Sequence, residues 1–460
     1  MTETFSVVIM AAGKGTRMHS AVPKVLHAVC GKPMIEWVID AAREAGAGRI
    51  VAVTRPDDGV AEGLPEDVAV AEQREGEGTG SAVLAARGPL EEGEPVLILS
   101  GDHPLLTSEL IGQLVRTQRE EGAAATLLTT EELDPTGYGR IVRAQDGSVE
   151  RIVETKSTEG VPPEELAIRE INIGAYAFDP EELVSALEEV EPGSNGERYL
   201  TEVFPILRKR GRKIVSHKTT DVRSAFGINS RVELMEAERL ARRALIEEHA
   251  RAGVTFESPD TVVVEASVEI GEDVTIAQGV SLKGATRIAR GAEIGAHSTL
   301  VDARVGEDAT VIHSHLLECE IERDTLVGPF SYLRPGTVVR EGAKVGTFVE
   351  IKNSDVGRGA KVPHLSYIGD ADVGEGSNLG ASTITANYDG KRKQRTVVGK
   401  RVKSGIHTSL VAPVNVGDEA YTGAGSVITG DVPDCALGIS RPKQKNVEGY
   451  AERVEEDTEG

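Results

Sequence analysis

Aliphatic residues in the second half of the chain recur at a fixed step of six. Val264, Ile270, Ile276, Leu282, Ile288, Ile294 and Leu300 form an unbroken series of seven, with Gly271 and Gly295 following two of them. A second series holds Ile321, Val327, Leu333, Val339, Val345 and Ile351, and a third holds Val356, Val362 and Ile368. This step is neither the helical 3.6 nor the strand period of 2. Such a repeat predicts short strands stacked in coils, a parallel β-helix with the aliphatic residue pointing inward and three hexads to a coil. The one-residue slips, Leu300 to Val305 and Ile351 to Val356, are expected at turns. The solenoid is predicted from about Val262 to about Ile428. Its severest break lies between Leu379 and Val397, where the turn Asn387-Tyr388-Asp389-Gly390 precedes the cations Lys391, Arg392 and Lys393. A long loop extruded from a rigid scaffold is more often functional than accidental.

The first half alternates differently. Ser6–Met10, Ile50–Thr54 and Val96–Ser100 read as buried strands, with helical stretches at Pro33–Ala45 and Ser81–Ala86 between them. Ala125–Thr129 and Ile173–Phe178 extend the same sheet. This is βαβ logic and predicts an α/β domain around a mostly parallel sheet. Ligands in such folds bind outside the carboxyl ends of the strands. Ser230 with Glu233 forms a capping box, Leu234, Ala237, Ala241 and Leu245 form an apolar stripe, and Gly253 supplies a stop. One helix is therefore expected over 230–252, a stiff arm joining two domains. The predicted division is 1–227, a linker helix over 228–252, a β-helix over 253–445, and an acidic, frayed tail over 446–460.

Composition narrows the functional classes. With 51 Lys+Arg against 74 Asp+Glu the net charge is −23 over 460 residues. Such a surface repels nucleic acid and anionic lipid, so neither is an expected partner. No apolar run is long enough to span a bilayer, and the N-terminus lacks a basic segment before its apolar residues. Cys30, Cys319 and Cys435 are odd in number and far apart, which suggests a reducing cytoplasm.

The loop Met10-Ala11-Ala12-Gly13-Lys14-Gly15-Thr16-Arg17-Met18 follows the first strand. It matches neither a Walker A loop nor the dinucleotide fingerprint. As a glycine-rich turn entering a helix it would present N–H groups to phosphate, with Arg17 and Lys24 adding charge. Taken alone, it is equally an ordinary tight turn. Ser100-Gly101-Asp102 ends the Val96–Ser100 strand, where a carboxylate either holds Mg²⁺ against phosphate oxygens or simply caps a turn. Gln73 with Gly78-Thr79-Gly80 offers an amide and a flexible turn to a base edge, or is a plain surface loop.

Together, Met10–Met18 and Pro23-Lys24 resemble the sugar-phosphate nucleotidyltransferases, which have a Rossmann-like fold. Joined to a hexapeptide β-helix, the chain resembles the family of bifunctional N-acetylglucosamine-1-phosphate uridyltransferases/glucosamine-1-phosphate acetyltransferases over all but its tail. The resemblance implies a left-handed β-helix, a homotrimer with sites built from adjacent subunits, and synthesis of UDP-N-acetylglucosamine for peptidoglycan and lipopolysaccharide. It implies UTP and acetyl-CoA as co-substrates and Mg²⁺ as cofactor. Met10, Ala11, Ala12 and Gly13 with Ser100 and Gly101 would line the nucleotide site, Arg17 and Lys24 would neutralise phosphate charge, and Gln73, Gly78 and Thr79 would read uracil. Gly139, Glu154 and Asn172 would hold the sugar, while Asp102 and Asn229 would ligate Mg²⁺. The family often carries Gln or Pro near the position of Gly76, so this chain departs there.

Within the solenoid a polar set interrupts the aliphatic coils: Arg334, Glu350, Lys352, His364, Tyr367, Asn378, Asn387, Tyr388 and Lys393. A lone His at a coil corner is commonly just solvated. Its neighbours change the balance, because three cations suit a sugar phosphate and Asn and Tyr suit hydroxyls. The resemblance makes His364 the base that deprotonates the attacking amine, since imidazoles titrate near neutral pH. Glu350 would orient its ring. Ala381, Ile406, Ala424 and Arg441 would contact acetyl-CoA. The family commonly has Ser at the position of Ile406 and Gly at that of Ser382. Ser404, His407 or Thr408 would have to compensate for the missing hydroxyl, or acetyl transfer would be slower or redirected.

Two competing readings stand beside this one. A metal-dependent hydratase on the same scaffold would use His297, His313 and His315. Counted from the preceding aliphatic residues, the three point in different directions. Alternatively the first domain serves another sugar phosphate and the β-helix is structural or regulatory.

Overall fold

The computed structural model describes residues 4–88, 94–155, 161–193 and 196–456. It divides into two compact units, Met1–Arg242 and Arg243–Gly460.

In the first unit, seven strands of a mixed sheet lie in the order Ile214–Lys218, Ala125–Thr130, Ile171–Phe178, Val96–Ser100, Ser6–Met10, Arg49–Thr54, Ala69–Glu72. All of these neighbours run parallel except at Ile171–Phe178, which is antiparallel to both of its partners. The central strands are buried on both faces, as Val7, Val8, Leu97 and Ile98 show. That explains their unbroken apolar runs. Helix Met34–Glu44 covers one face with Ile35, Val38, Ile39 and Ala42. Because the register sets Met10 beside Val53 and Ser100, the loops after these strands open at one edge of the sheet.

The glycine loop departs from expectation. It enters only the 3₁₀ turn Thr16–Met18, and the first α-helix starts at Met34. His19 takes a left-handed φ of 47° and Pro23 follows shortly after, so the turn cannot propagate. A single 3₁₀ turn offers phosphate little aligned dipole, which leaves loop N–H groups and side chains to do that work.

Helix Arg231–Arg251 has both predicted ends. Glu233 N–H donates to Ser230 Oγ at 3.3 Å, and the Glu233 carboxylate takes the Asn229 N–H at 2.7 Å. At the other end Gly253 N–H reaches Ala250 O and Val254 N–H reaches His249 O, each at 3.1 Å, with Gly253 at φ 98°. This is a Schellman closure.

The second unit is a left-handed parallel β-helix built from three parallel sheets. Val264 pairs with Leu282, Ile270 with Ile288 and Ile276 with Ile294, so residues eighteen apart stack and three hexads close a coil. The periodic aliphatics line a single core, with only Ile270 partly exposed. Strands begin earlier and end later than predicted, at Thr255–Phe256 and Leu437–Gly438. The slips fall at corners where Asp302 and Asn353 adopt φ of 50° and 46°. The tail carries a short helix, Tyr450–Glu456, where fraying was expected. Residues 457–460 lie outside the described residues.

The slips also correct the histidine geometry. His297 and His313 come to one left-handed corner with ring centroids 5.6 Å apart, and His313 packs against Phe330 at 4.6 Å with the rings tilted. Counting from the last aliphatic residue misses this because the shortened coil advances the turn by one position. His315 begins the next strand and meets Tyr332 at 5.3 Å.

Candidate functional site

The sheet edge of the first unit gathers residues from distant loops. Lys24 lies in a 3₁₀ turn and sends its ammonium to the Asp102 carboxylate and, at 3.0 Å, to Asn229 Oδ1. Ser100 Oγ donates to the other Asp102 oxygen at 2.6 Å, and the buried Gly101 lets its N–H bond Met10 O at 3.0 Å. Burial opposes ionisation of Asp102, but Lys24 and the Ser100 hydroxyl hold its carboxyl below the usual range. Ile228 N–H donates to Asp102 O at 3.0 Å, which fixes Asn229 beside it. The approach requires glycine at 227, because a Cβ there would lie 2.4 Å from His103 Nε2. His103 itself, 3.6 Å from Asp102, is pushed toward the neutral form by burial; no motif pointed to it. Two hard oxygen donors aimed at one cation form a donor set that fits Mg²⁺.

The glycine loop lies alongside. A Cβ at Gly15 would clash with Lys24 Cβ at 2.8 Å, and its φ is 57°, so glycine is required there by the chain. Gly13 differs. A Cβ there would meet nothing within 4 Å, so the space over it is open. Ala11 and Ala12 are buried and Arg17 is exposed. Arg55 was missed by sequence reasoning. Its Nε donates to Ala12 O at 2.6 Å, and its Nη2 meets Glu77 Oε2 at 2.7 Å. Lys14 Nζ reaches the same carboxylate at 3.1 Å. Glu77 thus ties the glycine loop to the turn before Gly78, and Arg55 first, then Lys14, hold its carboxyl down at about 2.

Gln73 is buried and its Nε2 donates to Gly76 O and Gly78 O at 3.1 and 3.3 Å, leaving its carbonyl oxygen as the acceptor. Thr79 Oγ1 accepts from Leu200 N–H at 2.9 Å, and the Gly78 Cα packs against Arg198 backbone. The sugar candidates cluster on the antiparallel side. Asn172 N–H donates to Gly139 O at 2.9 Å, Asn172 Nδ2 donates to the buried Tyr176 Oη at 2.6 Å, and Glu154 accepts from Thr201 at 3.1 Å. Burial, largest, with Glu154 nearby, pushes the Tyr176 phenol well above its usual range.

In the β-helix, Glu350 sits in register between Tyr332 and Tyr367. Among the described residues its side chain makes no hydrogen bond to His364. Its Oε1 accepts from Arg334 Nη1 at 2.8 Å, because Arg334 follows the strand stacked on its own. His364 ends strand Lys361–His364 and is exposed at the corner. From that corner a column descends: Ser382 N–H donates to His364 O, His407 N–H to Ala381 O, Gly425 N–H to Ile406 O, and Arg441 Nη1 to Ala424 O, at 2.7–3.1 Å. The four residues assigned to acetyl-CoA therefore share one edge. Lys352 and Asn387 contact a buried carboxylate, Asp370, that no motif flagged, and Tyr367 Oη lies 3.5 Å from Asn387 Nδ2. Asn378 stands apart on a neighbouring sheet, bridged to Lys361 and Lys403. Tyr388 is exposed and donates to Gly390 O at 2.8 Å within its own loop.

Comparison with known proteins decides the family. Residues 7–202 match the MobA-like NTP transferase domain. The chain is 44% identical over 460 residues to the bifunctional protein GlmU of Mycolicibacterium vanbaalenii, covering 97% of this chain and 93% of that one. It is 44% identical to GlmU of Caldanaerobacter subterraneus, with 97% of each covered, and 43% identical to that of Halalkalibacterium halodurans, covering 98% and 99%. The chain belongs to the GlmU family. It is a bifunctional nucleotidyltransferase and acetyltransferase of UDP-N-acetylglucosamine synthesis.

One departure from the family pattern gains a structural reading. Ile406 is 52% exposed on the edge shared by the residues assigned to acetyl-CoA. Ser404 Oγ is committed to Gly380 N–H at 2.7 Å and Thr383 Oγ1 at 3.0 Å, while Thr408 donates to Gly405 O at 2.8 Å. Neither hydroxyl is free to replace the one absent at 406. His407, exposed beside it, is the only one of the three expected substitutes left available.

Proposed function

We propose that the two activities use the residue sets described above. In the first unit, a phosphate oxygen of N-acetylglucosamine-1-phosphate attacks the α-phosphorus of UTP in line, the bond to the bridging β-oxygen breaks, and pyrophosphate leaves. The nucleophile is already ionised, so the protein supplies position and charge rather than a base. Gly13 leaves room for phosphate over the loop, Gln73 with Gly78 and Thr79 faces uracil, and Gly139, Glu154 and Asn172 receive the sugar. Arg17 and Lys24 neutralise phosphate charge. Asp102 and Asn229 would hold Mg²⁺, which offsets phosphate charge when bound.

In the β-helix, the amine of glucosamine-1-phosphate attacks the thioester carbonyl of acetyl-CoA. His364 accepts the amine proton, the C–S bond breaks, and the CoA sulfur takes that proton from His364 and leaves as the thiol. Arg334, Lys352 and Lys393 bind the sugar phosphate, with Tyr367, Asn378, Asn387 and Tyr388 at the hydroxyls. Ala381, Ile406, Ala424 and Arg441 line the acetyl-CoA edge.

The protein acts as a cytoplasmic homotrimer on small-molecule substrates. Cys319 and Cys435 are free thiols, which suits a reducing compartment, and among the described residues no helix is long and apolar enough to cross a membrane. Phe330, stacked on Phe348 at 5.2 Å, forms with Leu365 an exposed apolar corner suited to a neighbouring copy. The observation that carries the uridyl half is the convergence of Asp102 and Asn229 on one cation. The test is a two-activity assay, following free CoA from acetyl-CoA plus glucosamine-1-phosphate and pyrophosphate from UTP plus N-acetylglucosamine-1-phosphate, beside the mass in solution. Absence of CoA release with intact pyrophosphate release defeats the acetyl-transfer assignment, and a monomeric mass defeats the trimer.

A further inference from the structure

Strand Tyr367–Gly369 runs directly into Asp370, a carboxylate only 7% exposed. Asp370 Oδ1 accepts from Asn353 Nδ2 at 2.6 Å, Oδ2 accepts from Asn387 Nδ2, and Lys352 Nζ lies 3.8 Å from Oδ2. Burial opposes its ionisation, yet the two amides and the ammonium groups of Lys352 and Lys393 hold the carboxyl below its usual range. A buried charge persists only when partnered in this way.

The consequences reach each neighbour. Asn387 is itself buried, so with its NH₂ committed to Asp370 its carbonyl oxygen is the atom left to accept from a ligand. Gly369 makes the arrangement possible. A Cβ there would lie 2.4 Å from Tyr367 Oη and 2.7 Å from Asn387 Nδ2. Lys352 and Lys393 stand close enough that Lys352 holds the Lys393 ammonium below the usual lysine range. Two cations so close repel, and the Asp370 carboxylate, 3.8 Å from the Lys352 ammonium, offsets that repulsion until a phosphate arrives.

We propose that Asp370 is a positioning residue of the acetyl-transfer site: it sets the Asn387 amide and keeps Lys352 and Lys393 together to receive the phosphate of the amino sugar. This rests on the assignment of Lys352, Tyr367, Asn387 and Lys393 to the sugar phosphate.

The full-length Asp370→Asn variant tests it. Asparagine keeps the volume but removes the charge and turns an amide NH₂ against an existing donor. The KM for glucosamine-1-phosphate is expected to rise about tenfold, the scale of one lost charge-assisted hydrogen bond. The kcat of acetyl transfer falls less, and the KM for acetyl-CoA and the uridyl transfer stay unchanged. An unchanged sugar-phosphate KM, or an equal loss of both activities, overturns the proposal. Should Asp370→Asn fail to fold, Asn353→Ala loosens the carboxylate from its outer side, and a rise of about threefold in the same KM is expected; no rise overturns the proposal. Wild-type protein assayed alongside separates the two layers. No CoA release from wild type defeats the site assignment, whereas release with an unshifted variant KM defeats only the role of Asp370.

Discussion

Lys24 Nζ donates to Asn229 Oδ1 at 3.0 Å across a sequence separation of 205 residues, and the same ammonium pairs with Asp102. One side chain therefore holds together the two oxygens assigned to Mg²⁺. His364 belongs to the other unit and shares none of these contacts. Asp102→Ala is expected to lower uridyl transfer about a hundredfold or more and leave acetyl transfer intact. His364→Ala does the reverse, by about 10²–10⁴-fold. Steady-state assays of both reactions on each variant check this, and loss of both activities from either change would refute independent sites.

The Glu77 pairing should survive mild acid. Its folded value of about 2 lies below the ordinary 4.5, so its contribution is fully present above about 4.5 and is lost as pH falls through about 2. A carboxyl-resolved NMR titration of Glu77 should show no midpoint near 4.5. A midpoint there would mean that Arg55 and Lys14 do not hold it in solution.

Ile406→Ser should restore a hydroxyl that neither Ser404 nor Thr408 can lend. The gain expected is about fivefold in kcat/KM for acetyl-CoA, the scale of one net hydrogen bond. Initial rates against acetyl-CoA concentration decide the matter, and an unchanged or lower kcat/KM counts against a substrate contact at 406.

Leu333 is fully buried between Leu316 and Ile351 in the β-helix. Leu333→Ala should destabilise that unit by about 3 kcal/mol, because stacked coils cannot collapse around a lost side chain. Urea unfolding followed by circular dichroism measures the shift. A cost under about 1 kcal/mol would mean the coils repack.

Much of the fold was legible because its signals are local. A six-residue period identifies the inward face of a coil whatever lies elsewhere in the chain, and Ser230, Glu233 and Gly253 mark helix ends through bonds spanning a few residues. The glycine loop was legible as a motif, although its helix shrank to a 3₁₀ turn where His19 turned left-handed. The sites were legible only as residue types.

The sequence by itself determined the period, the buried faces and the list of chemically apt side chains, since each follows from neighbours a few positions apart. Tertiary structure alone decided who meets whom. It paired Glu350 with Arg334, brought Arg55 to Ala12 and Glu77, set His297 against His313, and placed the unflagged Asp370 beside Lys352 and Asn387. The physical reason is register. A contact between coils or strands depends on every turn length between them, and a slip of one residue redirects a side chain without altering the local pattern.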